Sequence, residues 1–535
     1  MGKEGKSIVY CGGMKEAFFC EKEEKRNDPT KRVFTKKGIR VYSLGRNNER
    51  GETILKIAKA NPFGGKPVIH LSSLYGASLG KEVILRIPVT GARPIELCAD
   101  GLPEGLVLSE GVVRGVVERE GDYPVVIHAS NREGAAEKRV CIKIHPDTRL
   151  LTPLMGFTSW NAFGSEVSQE KMERTARVML ESGLCDYGYN YVNVDSGWQK
   201  EYGGAFDAVM PNEKFPDMKG FCGRMHQSGL KCGIYSTPML TAWGCPKEYE
   251  SIPGCTRGKP QILHSYNNGG IGEERLEENN VRQWNDWGFD YLKYDWAPTE
   301  PTNAEFMRRA LEKSSREMGY CVTVAADFGY WKYWKDACNS WRDNSDSMDD
   351  WKVLKKYLEP RGFTYIQYWK LAVSPGHFYD LDMLEIGAMT WNEGKGTRLT
   401  EDEEIFAYTL RAFFLSPIQI SCELEKLTEF ERDLLCNDEI IALNQDGLVD
   451  YPDVFSQNDD LKIYVRRLEN GDRAYALFNV SDETQEAVFD FGGAKNVREV
   501  WSKTDLPASD HFACSVSPHG ASVLRVSGLP QESAD

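Results

Sequence analysis

At 535 residues the chain is too long for one ordinary hydrophobic core, so two to four domains are expected. Its 41% apolar and 27% charged content is that of a soluble globular protein, and no apolar run reaches the roughly 18–20 residues a membrane helix needs. The net charge of −15, with no cluster of Lys and Arg, excludes a nucleic-acid surface and favours an uncharged substrate.

The opening MGKEGKSIVYCGG has no apolar stretch followed by a small-residue cleavage site, and no Ser or Thr at its sixth position. A cytoplasmic, unlipidated protein is therefore expected. Residues 1–65 are polar and charge-rich, with KEEKRNDPTKR reading as a solvated arm to which no role is assigned. From 66 to 147 short β-type runs (EVILRIPV, GVVRGVV, YPVVIHA, KRVCIKI) alternate with Gly, Pro and Asn turns, the pattern of a small antiparallel sandwich.

Between 148 and 445 strand-like runs alternate with helix-like ones. LMGFTSW, NYVNVDS, LKCGIYST, FDYLKYDW, YCVTVAAD, CNSWRD, GHFYDLDML and SPIQIS read as eight strands. Met172, Ala176, Met179 and Leu180 share one face of an intervening helix, and Thr400-Glu401-Asp402-Glu403 is a capping box opening another. The expected fold is α/β: a (β/α)8 barrel, with a doubly wound open sheet as the alternative. Beyond 446 the pattern returns to β, with LKIYVRRLENGDRAYALFNV alternating on both sides of the hairpin signal Asn470-Gly471, so an antiparallel sandwich is expected at the C-terminus.

A barrel meets its ligand at the C-terminal ends of its strands. Those ends carry Trp160, Asp195, Tyr235, Asp295, Asp327, Arg342 with Asp346, and Asp382, and no histidine. Carboxylates, cations and aromatic faces without a hydrolytic triad describe a sugar pocket. Two carboxylates suffice for glycoside hydrolysis. Lys293 lies two residues before Asp295, so both point into the barrel mouth, and its ammonium favours an ionised Asp295. Periodicity does not say which acid has which role. A minority reading has the acid cluster bind Mg²⁺ or Ca²⁺ instead, and any one strand-end Asp could cap the next helix; Asp349 and Asp350 are expected at a helix start. The 14 cysteines show no zinc spacing and read as reduced structural thiols, with disulfides left open.

At these residues the chain resembles glycoside hydrolase family 27, the α-galactosidase family, over 151–450. LTPLMGFTSWNAF, ESGLCDYGYNYVNVDSGWQ, KFPDMKG, GLKCGIY, DWGFDYLKYDW, WRDNSDSMDDW, DLDMLEIG and IIALNQDGL are similar to family blocks in the family's order. Residues 66–147 resemble the Ig-like domain that precedes this barrel in some bacterial members. The resemblance implies retaining double displacement: Asp295 as nucleophile, Asp346 as acid/base, with roughly 5–5.5 Å between the two carboxyls. It implies sugar contacts at Trp160, Asp195, Tyr235, Lys293, Arg342 and Asp382, and a residue sensing the sugar's 2-position at Asp327, where an acid disfavours an N-acetyl group. Neither the resemblance nor the residues call for a cofactor or metal.

The chain also departs from the family pattern. Ser196 stands where the second acid of an Asp-Asp pair is expected, the loop after Tyr235 reads STPMLTAWGC, and GHFYDLDM replaces GGWNDPDM. A hydroxyl is a weaker partner for sugar hydroxyls than a carboxylate, so Ser196 bears on specificity rather than on reaction type. The expected activity is an exo-acting α-galactosidase on an oligosaccharide or glycoside, without nucleic-acid or membrane partners and with self-association left open. An α-glucan hydrolase of isomalto-dextranase type is the alternative enzyme, and a non-catalytic carbohydrate-binding protein the alternative class.

Overall fold

The computed structural model describes residues 31–36, 39–44, 57–237, 261–263, 266–268, 275–295, 301–323, 326–343, 346–359, 366–492, 494–507, 509 and 511–529. Most of the loop after Tyr235 and much of the N-terminal arm lie outside the described residues.

The α/β unit is a barrel. Its eight parallel strands are β1 (Met155–Thr158), β2 (Tyr191–Val194), β3 (Lys231–Ser236), β4 (Tyr291–Tyr294), β5 (Gly319–Val322), β6 (Ser340–Trp341), β7 (Phe378–Tyr379) and β8 (Ile418–Ile420). They pair in chain order from β1 to β7, and β8 pairs with β1. A parallel bridge from Leu384, just past β7, to Ile420 closes the ring, with the Leu384 amide donating to the Gln419 carbonyl at 2.8 Å. The closed ring is the (β/α)8 barrel expected from the eight alternations, and the open-sheet alternative falls. Strands β1, β2, β3 and β5 are buried at every position, because helices cover one face and the barrel interior fills the other.

The local signals survive folding. Helix Gln169–Glu181 buries Met172, Ala176 and Met179, with Ser168 accepting a bond from the Lys171 amide. Helix Glu401–Phe413 opens on the expected capping box between Thr400 and Glu403. Glu404 in this helix is buried, and one of its carboxyl oxygens has no hydrogen-bond partner among the described residues. Burial, reinforced by Glu431 and Glu401, pushes its pKa up to about 9. A raised carboxyl pKa stabilises the fold fully below the unfolded value, and that contribution drains away as pH rises towards 9. Glu404→Gln should therefore raise Tm more at pH 8 than at pH 5; an equal shift at both, or a lower Tm at pH 8, would refute the assignment.

Two larger sheets precede the barrel, beside a short two-stranded one of Val68–Ile69 and Val89–Thr90. One pairs Leu74–Ser78, Gly134–His145, Gly121–Asn131 and Glu96–Asp100; the other pairs Glu82–Arg86, Val112–Val116 and Leu106–Ser109. They share a core that includes Leu85, Val113, Val125, Ile127, Val140 and Ile142, so they form a β-sandwich. This sandwich rests on the barrel's underside. Arg316 pairs with Glu82, Lys81 donates to the Ser314 carbonyl, the Ser78 amide donates to Glu317, and Arg86 donates to the Ser228 carbonyl. Ser228, Ser314 and Glu317 all precede the strands they feed, so these contacts lie opposite the barrel mouth.

The C-terminal region is a second antiparallel sandwich, with six strands in one sheet. Its Asn470-Gly471 turn joins Leu461–Arg467 to Arg473–Asn479, and Gly471 takes a positive φ of 87° that a side chain would oppose. The other sheet corrects the reading of the N-terminal arm. Lys31–Lys36 and Ile39–Leu44 form a hairpin whose second strand pairs antiparallel with Gln485–Asp490. Part of the polar arm is thus structural, completing a sheet whose other strands come from the far end of the chain.

Candidate active site

The barrel mouth gathers its polar residues from successive strand ends. Tyr235 on β3 stands beside Lys293 on β4, with the ammonium 5.7 Å from the ring centroid. Lys293 reaches across to β2 and donates to Asp195 Oδ2 at 2.8 Å. Asp195 follows the end of β2 and is held by its own surroundings: its amide donates to Ser159 Oγ, and its Oδ1 accepts the Ser196 amide at 2.7 Å.

Both partners of this pair are nearly sealed, at 12% and 3% side-chain exposure. Burial pushes the Asp195 pKa up, against the pull of Lys293. Burial alone would lower that of Lys293, but Asp195, Asp295 and Asp382 outweigh it and raise it. The ammonium is therefore a permanent cation shared among three carboxylates.

Asp295 sits one residue beyond β4, its amide bonded to the Ser236 carbonyl at 2.9 Å. Its carboxylate accepts the Tyr235 hydroxyl on one oxygen at 2.8 Å and the Thr323 hydroxyl on the other. Two O–H donors from neighbouring strands fix its plane. Thr323, at the end of β5, went unrecognised in the sequence. A hydroxyl after the apolar YCV run was its only signal.

A second ion-pair chain crosses β6 and β7. Arg342 is 2% exposed, and its guanidinium bridges Asp382, with which it is in direct contact, and Asp346, whose Oδ1 accepts Nη2 at 2.8 Å. Burial opposes ionisation of Asp382, but Arg342, Lys293 and the Ser347 and Met383 amides hold its pKa below the ordinary carboxylate value. Asp346 stands in contrast: its side chain is 75% exposed at the rim. Asp380 is buried below, its Oδ1 accepting the Asp382 amide at 2.8 Å, and was not anticipated.

The structure thus links Asp195, Tyr235, Lys293, Asp295, Arg342, Asp346 and Asp382 through direct contacts or shared charge. Of the remaining three expected residues, Trp160 and Asp327 lie apart from that network, and Ser196 joins it through its backbone amide, which donates to Asp195. Asp327 is exposed, and its carboxylate accepts the Gly329 amide at 2.7 Å, capping the short turn Phe328–Tyr330. Trp160 is half-buried and opens the short helix Trp160–Phe163 directly after β1. Ser196 is 1% exposed, and its hydroxyl is buried with no hydrogen-bond partner among the described residues. Asp349 and Asp350 are structural as expected: Asp350 caps Trp351–Leu354, and Asp349 binds Arg398, Trp391 and Asn392.

Among the described residues, the one grouping of metal-ligand types is His226, Cys232 and Asp290, at the barrel's underside. Asp290 is already saturated: Oδ2 accepts from His226 and the Cys232 amide, each at 2.8 Å, and Oδ1 accepts from Arg316. It reads as a strut joining helix, strand and loop.

The family model for α-galactosidase A matches residues 152–255 and 267–446, and that for the α-galactosidase C-terminal β-sandwich domain matches 458–526. The chain belongs to the α-galactosidase family. It is a glycoside hydrolase.

The α-galactosidase A of Cellvibrio japonicus is 28% identical over 404 residues, covering 70% of this chain and 92% of that protein. The α-galactosidase of Oryza sativa is 26% identical over 383 residues, covering 69% and 83%. An α-galactosidase-like crystal structure from Bacteroides fragilis superposes with a TM-score of 0.75 at 27% identity, over 88% of this chain and 100% of that one. That span exceeds the barrel and C-terminal sandwich together, so it extends into the region before residue 152. A β-L-arabinopyranosidase of Geobacillus stearothermophilus shares the fold, with a TM-score of 0.62 at 22% identity over 72% and 98% of the two chains.

Proposed function

We propose that the protein is a retaining, exo-acting α-galactosidase that removes terminal α-linked galactose from oligosaccharides or glycosides. The observation that carries this reading is the contrast between two acids of one mouth. Asp295 is clamped by Tyr235 and Thr323 beside the Lys293 ammonium, while Asp346 projects from Arg342 into solvent.

An acid whose two oxygens are both oriented, next to a permanent cation, suits a nucleophile that must attack one anomeric carbon. Its attack would form a glycosyl-enzyme and release the leaving-group oxygen, which Asp346 would protonate. Asp346, now a carboxylate, would then take a proton from the water that cleaves the intermediate and frees Asp295. A residue on the open rim has access to both leaving group and water. Asp195, Lys293, Arg342 and Asp382 would bind sugar hydroxyls, with Trp160 and Asp327 at the margins.

Ser196 favours a second reading on one point. A neutral serine stands beside Asp195 where the family pair would carry a second acid, and its hydroxyl is buried. A panel of aryl α-galactoside, α-glucoside and β-L-arabinopyranoside tests this. The galactoside should have the highest kcat/KM; turnover of the glucoside alone would replace the galactosidase reading with an α-glucan hydrolase.

The finer points of this reading rest on composition and residue type. A reducing, cytoplasmic setting is supported by eight buried thiols among the ten described free cysteines. The charge of −15 supports a neutral substrate rather than nucleic acid, and no described helix is long and apolar enough to cross a membrane. The Ig-like description of the first sandwich rests on its two-sheet arrangement, and self-association on no specific residue.

A further inference from the structure

Arg411 lies on helix Glu401–Phe413, behind the pocket wall, and is fully buried. Three of its hydrogen bonds go to one turn of backbone. Nε donates to the Asp382 carbonyl at 3.2 Å, and Nη2 to the carbonyls of Leu381, at 3.2 Å, and Met383. The same Nη2 faces Ser347 Oγ at 3.3 Å and Glu385 Oε2 at 3.2 Å, and Nη1 donates to the Ala407 carbonyl. Three consecutive carbonyls thus converge on one planar cation. The middle residue, Asp382, has a φ of 69°, a left-handed conformation unusual for a non-glycine residue. Such a conformation persists only where its surroundings over-determine it, and Arg411 supplies three of the constraints.

What this turn carries explains why it should be fixed. Asp382 contacts Arg342, which holds Asp346, and the Asp382 carboxylate also accepts the amide of Ser347, the residue after Asp346, at 2.8 Å. Ser347 is therefore gripped twice, through its amide by Asp382 and through its hydroxyl by Arg411. Asp346 itself is open to solvent, and among the described residues Arg342 alone is bonded to its carboxylate. We propose that Arg411 is a positioning residue for the acid/base: by clamping the 381–383 turn and Ser347 from behind, it sets where the exposed Asp346 carboxyl stands. The proposal rests on the acid/base reading of Asp346. It requires no contact between Arg411 and substrate.

A displaced acid hurts only reactions that need protonation of the leaving group. The test compares kcat/KM, which reports glycosyl-enzyme formation, on two α-galactosides: one with an acidic phenol as leaving group, one with a sugar. Lysine at 411 keeps a charge but cannot span three carbonyls. Arg411→Lys should lose about tenfold or more on the galactosyl-sugar and less than about threefold on the activated phenyl galactoside. Ser347→Ala, which removes one grip and leaves the core intact, should show the same split to a smaller degree, and it decides the matter if Arg411→Lys does not fold. Asp346→Ala sets the full size of the split. If Asp346→Ala shows no split, the acid/base reading falls and this inference with it. If Asp346→Ala shows it, while Arg411→Lys and Ser347→Ala lose activity equally on both substrates or not at all, only the positioning role is overturned.

Discussion

Replacing Asp295 with asparagine is expected to lower kcat on an aryl α-galactoside by roughly 10⁴-fold or more, while galactose still binds within a few-fold of its original affinity. The reason is geometric as well as chemical. Asparagine fills the same volume, its amide oxygen can accept the Tyr235 or Thr323 hydroxyl, and the other hydroxyl can rotate to accept from its NH₂. The pocket should therefore keep its shape. The sugar contacts at Asp195, Lys293, Arg342 and Asp382 are untouched, so binding survives. What is lost is the carboxylate that forms the bond to the anomeric carbon, and no other described group occupies its place between β3 and β5. Turnover within about tenfold of the parent protein would remove Asp295 from the nucleophile role.

Lys293→Met should be the most damaging change to stability and activity together. Methionine matches much of the stem but removes the cation that Asp195, Asp295 and Asp382 share. Asp195 would be left 3% exposed with no counter-ion, and breaking one side of a buried pair costs about 3–5 kcal/mol. Proton uptake offers a way out. The Asp195 pKa is already raised by burial, and without Lys293 it should rise further. The penalty should be small below about pH 4, where the acid is neutral in folded and unfolded chains alike, and grow as pH rises. Thermal unfolding across pH 4–8 measures it. The double variant Lys293→Met/Asp195→Asn should recover much of the lost stability and none of the lost activity. If the single variant is as stable at pH 8 as the parent, the pair is not the buried strut described here.

The two variants differ in how far the sequence alone foresaw them. The LKYD spacing places Lys293 and Asp295 on one face of a strand, and the fold then carries both to the mouth. It does not tell that the Lys293 hydrogen bond goes to Asp195, with Asp295 claimed instead by two hydroxyls. Alternation along a strand sets the side to which a residue points, whereas partners across the barrel depend on the stagger of strands far apart in the chain. Thr323, Ser347 and Asp380 were missed for that reason. Arg411 was missed because helix patterning marks an arginine in an apolar run only as an exception, without naming the turn it serves. Asp327 shows the converse: the strand-end rule selected it, and its carboxylate turned to the nearest free amide, as an acid before a short turn can.

The sandwiches repeat this division. The Asn470-Gly471 hairpin was legible because both strands and the turn are contiguous. The Lys31–Leu44 hairpin was not, since its polar residues gain their sheet only by pairing with Gln485–Asp490. A local pattern cannot report a partner some 450 positions away.

From the sequence by itself came the order of strands and helices, the barrel, the family, and the identity of the acids and cations at its mouth. Those follow from local periodicity, capping and motif, each decided within a few residues of chain. Only the tertiary structure decided which oxygen meets which nitrogen: Lys293 on Asp195, Arg342 between Asp382 and Asp346, Arg411 behind the Asp382 turn, and the Ser196 hydroxyl buried beneath the surface. The physical reason is that burial and charge pairing are set by what closes over a residue, and in a closed barrel those neighbours arrive from distant segments.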